Sequence, residues 1–315
     1  MKRRRKKKRS SVGLADFPAV LLAAATLLGL LGRLHWMFDL LSHFRVQYMQ
    51  IGLILIGVAI WMRQHKRAAA LILLAAFNYA FILPFYFGSP SPANETPVRA
   101  MLLNLNAQNG NTQKVIEAIR AADPDFLLLE EVTPEWADKL KVLDHDYPHR
   151  IAEPRKGCFG IMLLARYPLE HREVMTFAGS GGPSVLAEAY LPQGTVSIIG
   201  THPVPPLSRS FAERRNLHLA ELTEAVLKQP HPVLLIGDLN TTPWSSNFQD
   251  LIEASGLRNS MKGFGYQPSW PVGKPFLKIP IDHVLHAPEI IVHNRAVLGD
   301  VGSDHFPVIV DFSLQ

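Results

Sequence analysis

Three charge-free apolar segments within the first 88 residues divide this chain before any motif is read. FPAVLLAAATLLGLLG opens at residue 17, VQYMQIGLILIGVAIWM covers 46–62 and AAALILLAAFNYAFILPFYFG covers 68–88. A helix needs roughly 20 residues to cross about 30 Å of hydrocarbon, and segments that are apolar all round lack the polar stripe of a soluble bundle helix. They imply a membrane anchor of three transmembrane helices, at about 17–34, 46–62 and 68–88, behind a basic tail over 1–16. No small-x-small cleavage site follows the first segment and two more apolar segments come after it, so it reads as a span and not as a signal peptide.

Charge beside these segments orients them. Residues 2–9 read KRRRKKKR and 63–67 read RQHKR, whereas 33–45 sets two Arg against Asp39. Lys/Arg-rich flanks stay on the cytoplasmic side. The N-terminus is therefore expected inside, in contact with anionic lipid, and the chain after the third span outside the cell membrane. Residues 89–97, within the Pro-rich GSPSPANETP, read as a linker that frees a following domain from the bilayer. The same tail explains the net charge of +5, because residues 95–315 hold 19 basic and 25 acidic residues, a net of −6. Non-specific nucleic-acid binding rests on Lys/Arg neutralising phosphates. A domain at this charge has no global excess to offer and would need a local patch. A single cysteine, Cys158, rules out a disulfide framework, a CxxC redox pair or a cysteine-built zinc site.

From residue 98 the pattern changes to short aliphatic runs ended by Gly, Pro or Asn, interleaved with amphipathic stretches. VRAMLLNLNA, DFLLLEEV, FGIMLLAR, SVLAEAYLP, TVSIIGTH, HPVLLIGDLN, IDHVLHA, IIVHNRAVL and PVIVDFSL read as strands. TQKVIEAIRAAD and FAERRNLHLAELTEAVLK read as helices, and LIEASG as the end of another at Gly256. Strands mixed with helices imply a layered α/β domain over 98–315.

Several strands end in polar residues: Asn104 and Asn106, Glu130 and Glu131, Thr201 and His202, Asp238 and Asn240, Asp282 and His283, then Ser303, Asp304 and His305 before the last one. Strand ends of one sheet converge in space however distant they are in sequence, which makes these residues site candidates. Carboxylate and amide oxygens suit Mg²⁺ or Mn²⁺ rather than zinc, and two His beside acids suit proton transfer and stabilisation of a phosphorane-like oxygen. Taken singly, each has an ordinary account: Asp and Asn are common turn formers, and a His after a strand is commonly just hydrogen bonded. Arg214 and Arg215 read as a solvated helix face, Arg166 as a structural turn residue, and Trp270 as either cleft wall or packing.

LNLNAQN, LLLEEV, GTHPVPP, GDLNTTP, SWP, PIDHVL and SDHFPV follow one another in an order that resembles the deoxyribonuclease-I-like superfamily of endonucleases, exonucleases and phosphatases, across about 98–315. The resemblance implies a four-layer α/β sandwich of two central mixed β-sheets flanked by helices, with the site at one edge between them. It implies Asn106, Glu131 and Asp304 as metal ligands, with Glu130 standing where the family commonly carries Gln. Asp238 would then orient or deprotonate the attacking water and Asn240 would donate to a phosphate oxygen. His305, oriented by Asp282, would stabilise growing charge, and His202 would face the leaving group. The expected function is a Mg²⁺- or Mn²⁺-dependent phosphoesterase that cleaves a phosphodiester, phosphomonoester or pyrophosphate bond by in-line attack of a metal-activated water. The substrate would be a lipid-linked phosphate or, alternatively, extracytoplasmic DNA or RNA. A tether of about ten residues would hold a lipid-linked phosphate at high effective concentration. Three spans followed by this domain also resemble bacterial membrane proteins of the same superfamily, including ones linked to glycopeptide resistance. A catalytically inactive membrane-tethered binding module is the contrasting class, and it is disfavoured because no required acid, Asn or His is replaced by an apolar residue.

Overall fold

The fold is described from a computed structural model, which covers residues 17–88, 96–179 and 182–315. The basic tail and most of the expected linker lie outside the described residues.

Strand parity explains the architecture. In β1 (Val98–Asn104), Ala100 and Leu102 face one way while Met101 and Leu103 face the other, and all four are fully buried. β2 (Phe126–Glu130) repeats this, with Phe126 and Leu128 on one face and Leu127 and Leu129 on the other. Side chains alternate with period two along a strand, so an unbroken aliphatic run means a strand covered on both faces. That covering comes from two six-stranded mixed sheets packed face to face. One sheet has the order β11 (Ile290–Val297), β12 (Val308–Leu314), β1, β2, β4 (Ile161–Ala165), β3 (His149–Glu153). The other has the order β5 (Leu169–Thr176), β6 (Pro183–Leu191), β7 (Gly194–Gly200), β8 (Val233–Asp238), β10 (Asp282–His286), β9 (Arg258–Asn259).

Each sheet carries helices on its outer face. α5 (Thr112–Ala122) and α6 (Pro134–Lys139) cover the first through Val115, Ile119 and Trp136, while α7 (Arg209–Leu227) and α8 (Ser246–Ser255) cover the second through Leu219, Leu222, Phe248 and Leu251. α8 ends where Gly256 adopts a left-handed conformation at φ 72°. The expected sandwich is therefore present. Sequence patterning missed the short or edge elements α6, β3, β5 and β9. β5 and β3 lie at the sheet edges, and β5 is mostly exposed, so neither has the alternation that patterning detects.

The N-terminal region differs from expectation. Helices α1 (Phe17–Leu28), α2 (Trp36–Ser42), α3 (Arg45–Trp61) and α4 (His65–Ile82) replace three straight spans. Among the described residues one helix, His65–Tyr86, is long and apolar enough to cross a membrane, or two if a bent pair counts as one. That pair, Phe17–Leu31 and Trp36–Ser42, is bent by 116°, and Arg45–Trp61 is a shorter apolar helix. Three transmembrane helices are thus not supported. Polar residues explain the break: His35 caps α2, and Asp39 turns inward to a buried partner. Nor does the domain hang free. Val46, Ile82, Phe85, Trp244 and Met261 form one shared apolar cluster, the Gln47 amide donates to the Lys278 carbonyl at 2.8 Å, and the Trp244 indole donates to the Phe81 carbonyl at 2.9 Å.

Close approach of β7 and β8 requires a glycine beside the acid that ends β8. A Cβ on Gly237 would lie 1.9 Å from the Thr201 carbonyl oxygen. Gly237→Ala is expected to destabilise the fold by about 3 kcal/mol, as backbone must move to relieve the overlap; thermal or urea unfolding of the full chain checks this, and an unchanged midpoint refutes the tight fit.

Candidate active site

The alternation that builds the core also gathers the acids. Continuing the inner-facing positions of each strand leads from Leu128 to Glu130, from Ile236 to Asp238, and from Val284 back to Asp282. Asn104 pairs with Glu130 across β1 and β2, and Asp282 pairs with Asp238 across β10 and β8. Polar side chains thus meet in the seam between the sheets, at the edge where the aliphatic layers stop.

Two compact clusters of carboxylate and imidazole result: Glu130, His202 and Asp238, and Asp238, Asp282 and His305, with ligand atoms within 4.8 Å of one another in each. All five residues are buried. His305 Nδ1 lies 2.9 and 3.1 Å from the two Asp282 oxygens, which leaves Nε2 pointing into the site, 3.7 Å from Asp238 Oδ2. His202 Nε2 is 3.6 Å from the same oxygen, and its Nδ1 is buried without a partner. The Glu130 Oε1 accepts from the Asp238 amide at 3.0 Å, and its Oε2 has no partner. Asp282 is itself held by the Ser269 hydroxyl, which accepts from its backbone N–H at 3.2 Å, and by Arg295, whose Nη2 donates to the Asp282 carbonyl at 3.3 Å.

The resulting electrostatics are strongly biased. Burial and then the neighbouring Asp238 and Asp282 charges push Glu130 well above the usual carboxylate range. Burial followed by the Asp282 charge lifts Asp238 to about 8. Asp282 is held below its ordinary value although burial opposes this, because the His305 imidazolium is hydrogen bonded to it. Burial disfavours a charged His305, but the attraction of Asp282, reinforced by Asp238 and Asp304, outweighs it and raises the imidazole to about 10. Burial and the His305 charge lower His202 to about 4, so His202 is neutral. A divalent cation held in this field would draw these raised values down.

The expected ligands Asn106, Glu131 and Asp304 stand at the open side of the clusters. Asn106 Nδ2 donates to Asp304 Oδ1 at 2.8 Å, Glu131 Oε2 accepts from the Ala107 amide at 2.9 Å, and Glu131 Oε1 accepts from Asn104 at 3.3 Å. Asp304 is exposed and Glu131 half-buried, whereas Glu130 is sealed in the seam. The two adjacent glutamates are thereby separated by role: Glu130 orders the β8 end, and Glu131 faces the cleft. Asn106, Glu131 and Asn240 all have positive φ, at 56°, 57° and 49°. Left-handed backbone at non-glycine residues carries strain that clusters at functional sites. Here it turns three side chains out of their strands. Asn240 consequently does not continue the β8 face: its Nδ2 donates to the Pro203 carbonyl at 2.9 Å, leaving its second amide hydrogen for a ligand.

Among residues set aside at first, Trp270 lines the rim, its indole N–H donating to Asp304 Oδ2 at 3.1 Å with its ring 6.3 Å from that of His305. Arg166 pairs with Asp123 and Asp125 at the surface, as a structural residue does. Sequence reading missed the support given by Glu130, Ser269 and Arg295, and by His218, whose Nε2 is 2.7 Å from the Thr201 hydroxyl. The strand parity of Glu130 was a usable signal; the others have none in sequence. Arg215 is 1% exposed, contrary to the solvated face expected of it.

Comparison with known proteins gives the family. The model of the Endonuclease/Exonuclease/phosphatase family matches residues 101–305, from β1 to His305. The chain belongs to this family. As a family member it is a metal-dependent phosphoric ester hydrolase. An endonuclease/exonuclease/phosphatase from Beutenbergia cavernae has a similar structure, at 23% identity and TM-score 0.59, with 70% of this chain and 72% of that one covered. D. rerio TDP2 in complex with a single-strand DNA product aligns at 16% identity and TM-score 0.59, covering 70% of this chain and all of that one. The human Nocturnin catalytic domain with a bound sulfate anion aligns at 19% identity and TM-score 0.58, covering 70% and 95%. No curated protein sequence matches the chain.

The donor set fits a hard divalent cation. The Glu131 and Asp304 carboxylates and the Asn106 amide stand together at the open side, with the Asp238 and Asp282 carboxylates behind them. His305→Ala is expected to lower turnover by about 10⁴-fold and Asp282→Asn by about 10³-fold, with the fold retained; hydrolysis rates on purified variants check this, and an undiminished rate in either refutes the assignment.

Proposed function

We propose that the chain is a Mg²⁺- or Mn²⁺-dependent phosphoesterase of the outer membrane-facing side that hydrolyses a lipid-linked phosphate or pyrophosphate. The observation that carries the substrate reading is the position of the site's rim relative to the anchor. The rim loop from Trp270 to Ile279 closes on itself through a Trp270–Ile279 bridge, and its Val272 amide donates to the Asp304 carbonyl at 2.8 Å. Its Lys278 carbonyl accepts from Gln47, in the first turn of α3. One to two turns further along α3, Ile51, Leu53 and Ile54 are exposed, and at the loop's tip Phe276 is 79% exposed beside Lys274 and Leu277. Exposed aromatic and aliphatic side chains next to lysine suit the headgroup boundary of a bilayer. These exposures support a catalytic edge beside the level at which lipid would begin.

The basic tail and the Arg63–Arg67 stretch support a cytoplasmic location for the end of the helices remote from the domain, and hence an extracytoplasmic domain. A cation held by Asn106, Glu131 and Asp304 would supply positive charge at the phosphate oxygens. Ionised Asp238 takes a proton from the attacking water. The His305 imidazolium donates from Nε2 to the oxygen on which charge grows, its ring fixed by Asp282 through Nδ1. The free amide hydrogen of Asn240 holds a second phosphate oxygen, and neutral His202 lies on the leaving-group side.

These roles set a pH profile. Asp238 must be ionised, so rate rises with pH as its raised pKa is passed; His305 must be protonated, so rate falls as its own raised pKa is passed. A bell with its acid limb below about 8 and its alkaline limb below about 10 is expected, both displaced downward by the cation. A profile with no ascending limb on the acid side would contradict the assignment of Asp238.

Substrate class is tested on the full chain in vesicles with Mg²⁺, with and without EDTA, by offering a polyprenyl diphosphate, phospholipids, plasmid DNA and a soluble aryl phosphodiester. Hydrolysis of a lipid phosphate is expected to fall on the order of tenfold in Phe276→Asp/Leu277→Asp, with the aryl substrate unaffected. Preferential cleavage of plasmid DNA would replace the lipid reading with a nuclease, the activity consistent with the fold shared with a DNA-bound relative. No hydrolysis of any substrate would favour a tethered binding module.

A further inference from the structure

The contact between the anchor and the domain is not spread evenly over the catalytic edge. Beside the bonds that Gln47 makes with Lys278 and the Phe85 carbonyl with Gly263 and Gly265, a buried polar group of contacts gathers on one loop, residues 239–245, which directly follows Asp238 and carries Asn240. Arg215 on α7 is the centre of that contact. Its Nη2 donates to Asp39 Oδ2 at 2.7 Å, its Nη1 donates to the Asn240 carbonyl at 2.9 Å, and its Nε donates to Asn216 Oδ1 at 2.8 Å. The second Asp39 oxygen accepts from the Ser245 hydroxyl at 2.6 Å, and His43 Nδ1 is 2.9 Å from the Thr242 hydroxyl. Asp39 and Arg215 are each about 1% exposed. The anchor therefore holds the middle and end of the loop directly, through His43, Asp39 and the Phe81 carbonyl of α4 that accepts from the Trp244 indole, and its start through Arg215.

We infer that the anchor is part of the catalytic unit: helix α2 inserts the Asp39 carboxylate beneath the catalytic loop, and Arg215 transmits that hold to the backbone of Asn240 as a positioning residue. Asn240 sits at φ 49°, a strained conformation that persists only when its surroundings impose it. On one side its side chain is fixed to Pro203 and its amide to Asp238 Oδ1; on the other its carbonyl is fixed by Arg215. The planar guanidinium suits this use because it can satisfy a carboxylate and a carbonyl in fixed directions at once. Without Asp39 the guanidinium is a buried charge lacking its counter-ion. It must turn to water or admit water, and either movement releases the Asn240 carbonyl.

The kinetic arm of the test rests on the phosphoesterase reading; the structural arm does not. The full chain in nanodiscs is compared as wild type, Asp39→Asn, Asp39→Glu, Arg215→Lys and Arg33→Ala. The last breaks the exposed Arg33–Asp250 pair, another anchor contact that leaves the loop alone. Amide hydrogen exchange over 238–245 and hydrolysis of a soluble aryl phosphodiester with Mg²⁺ are measured for each. Asp39→Asn is expected to speed exchange in the loop on the order of tenfold and to lower kcat by roughly 10- to 100-fold, with KM within about twofold. Arg215→Lys, which keeps the charge pair but not the fork, should reproduce that signature even if Asp39→Asn fails to fold. Asp39→Glu should restore most of the rate, and Arg33→Ala should match wild type. Wild-type loop exchange in both Asp39→Asn and Arg215→Lys overturns the inference, as does an equal effect of Arg33→Ala. A wild-type chain that hydrolyses nothing refutes the phosphoesterase reading, while loop exchange still decides the role of Asp39.

Discussion

Carboxylates brought together in the seam between two sheets repel one another in a medium that screens them poorly, and the site is organised around relieving that repulsion. At Glu130 burial disfavours the charged form while one oxygen orders the backbone of Asp238; Asp282 is relieved by binding His305. What is left over, at the open side, is negative charge with oxygen donors, the environment a hard cation seeks. The sandwich is what makes the gathering possible, since only two facing sheets can bring inner-facing positions of β2, β8 and β10 to one edge.

Much of this was legible in sequence because period-two alternation is local. An aliphatic run followed by an acid on the same parity announces both the core and the seam, as LLLEE and LLIGD do. The order of polar strand ends carried the rest, and eight candidate residues do converge on one edge. The assignment of separate tasks to Glu130 and Glu131 needed the structure, because positive φ at Glu131 takes its side chain off the simple alternation.

What stayed hidden depends on contacts across long chain separations. Arg215 has the helical neighbourhood of a solvated residue, and its partner Asp39 lies 176 positions away, in a stretch that composition marks as anchor. Composition likewise reads apolar length without geometry, so it could not register that the first segment breaks and turns at Gly32–His35. The corner is tightly packed: a Cβ on Gly32 would lie 3.1 Å from the Asp39 Cα. The edge strand β5 was overlooked because a strand exposed along most of its length has no reason to alternate.

The corner before α2 has a further consequence for how chains of this architecture can diversify. The turn between Leu31 and Trp36 is short and packs directly on α2, so adding or removing one residue there would displace the start of α2 and draw Asp39 away from the guanidinium it meets. Beyond Gly32 and the capping His35 the sequence of that turn can vary, but its length cannot. Relatives that share this junction should therefore keep the spacing from the end of the first helix to the acid even where every apolar residue around it has been exchanged.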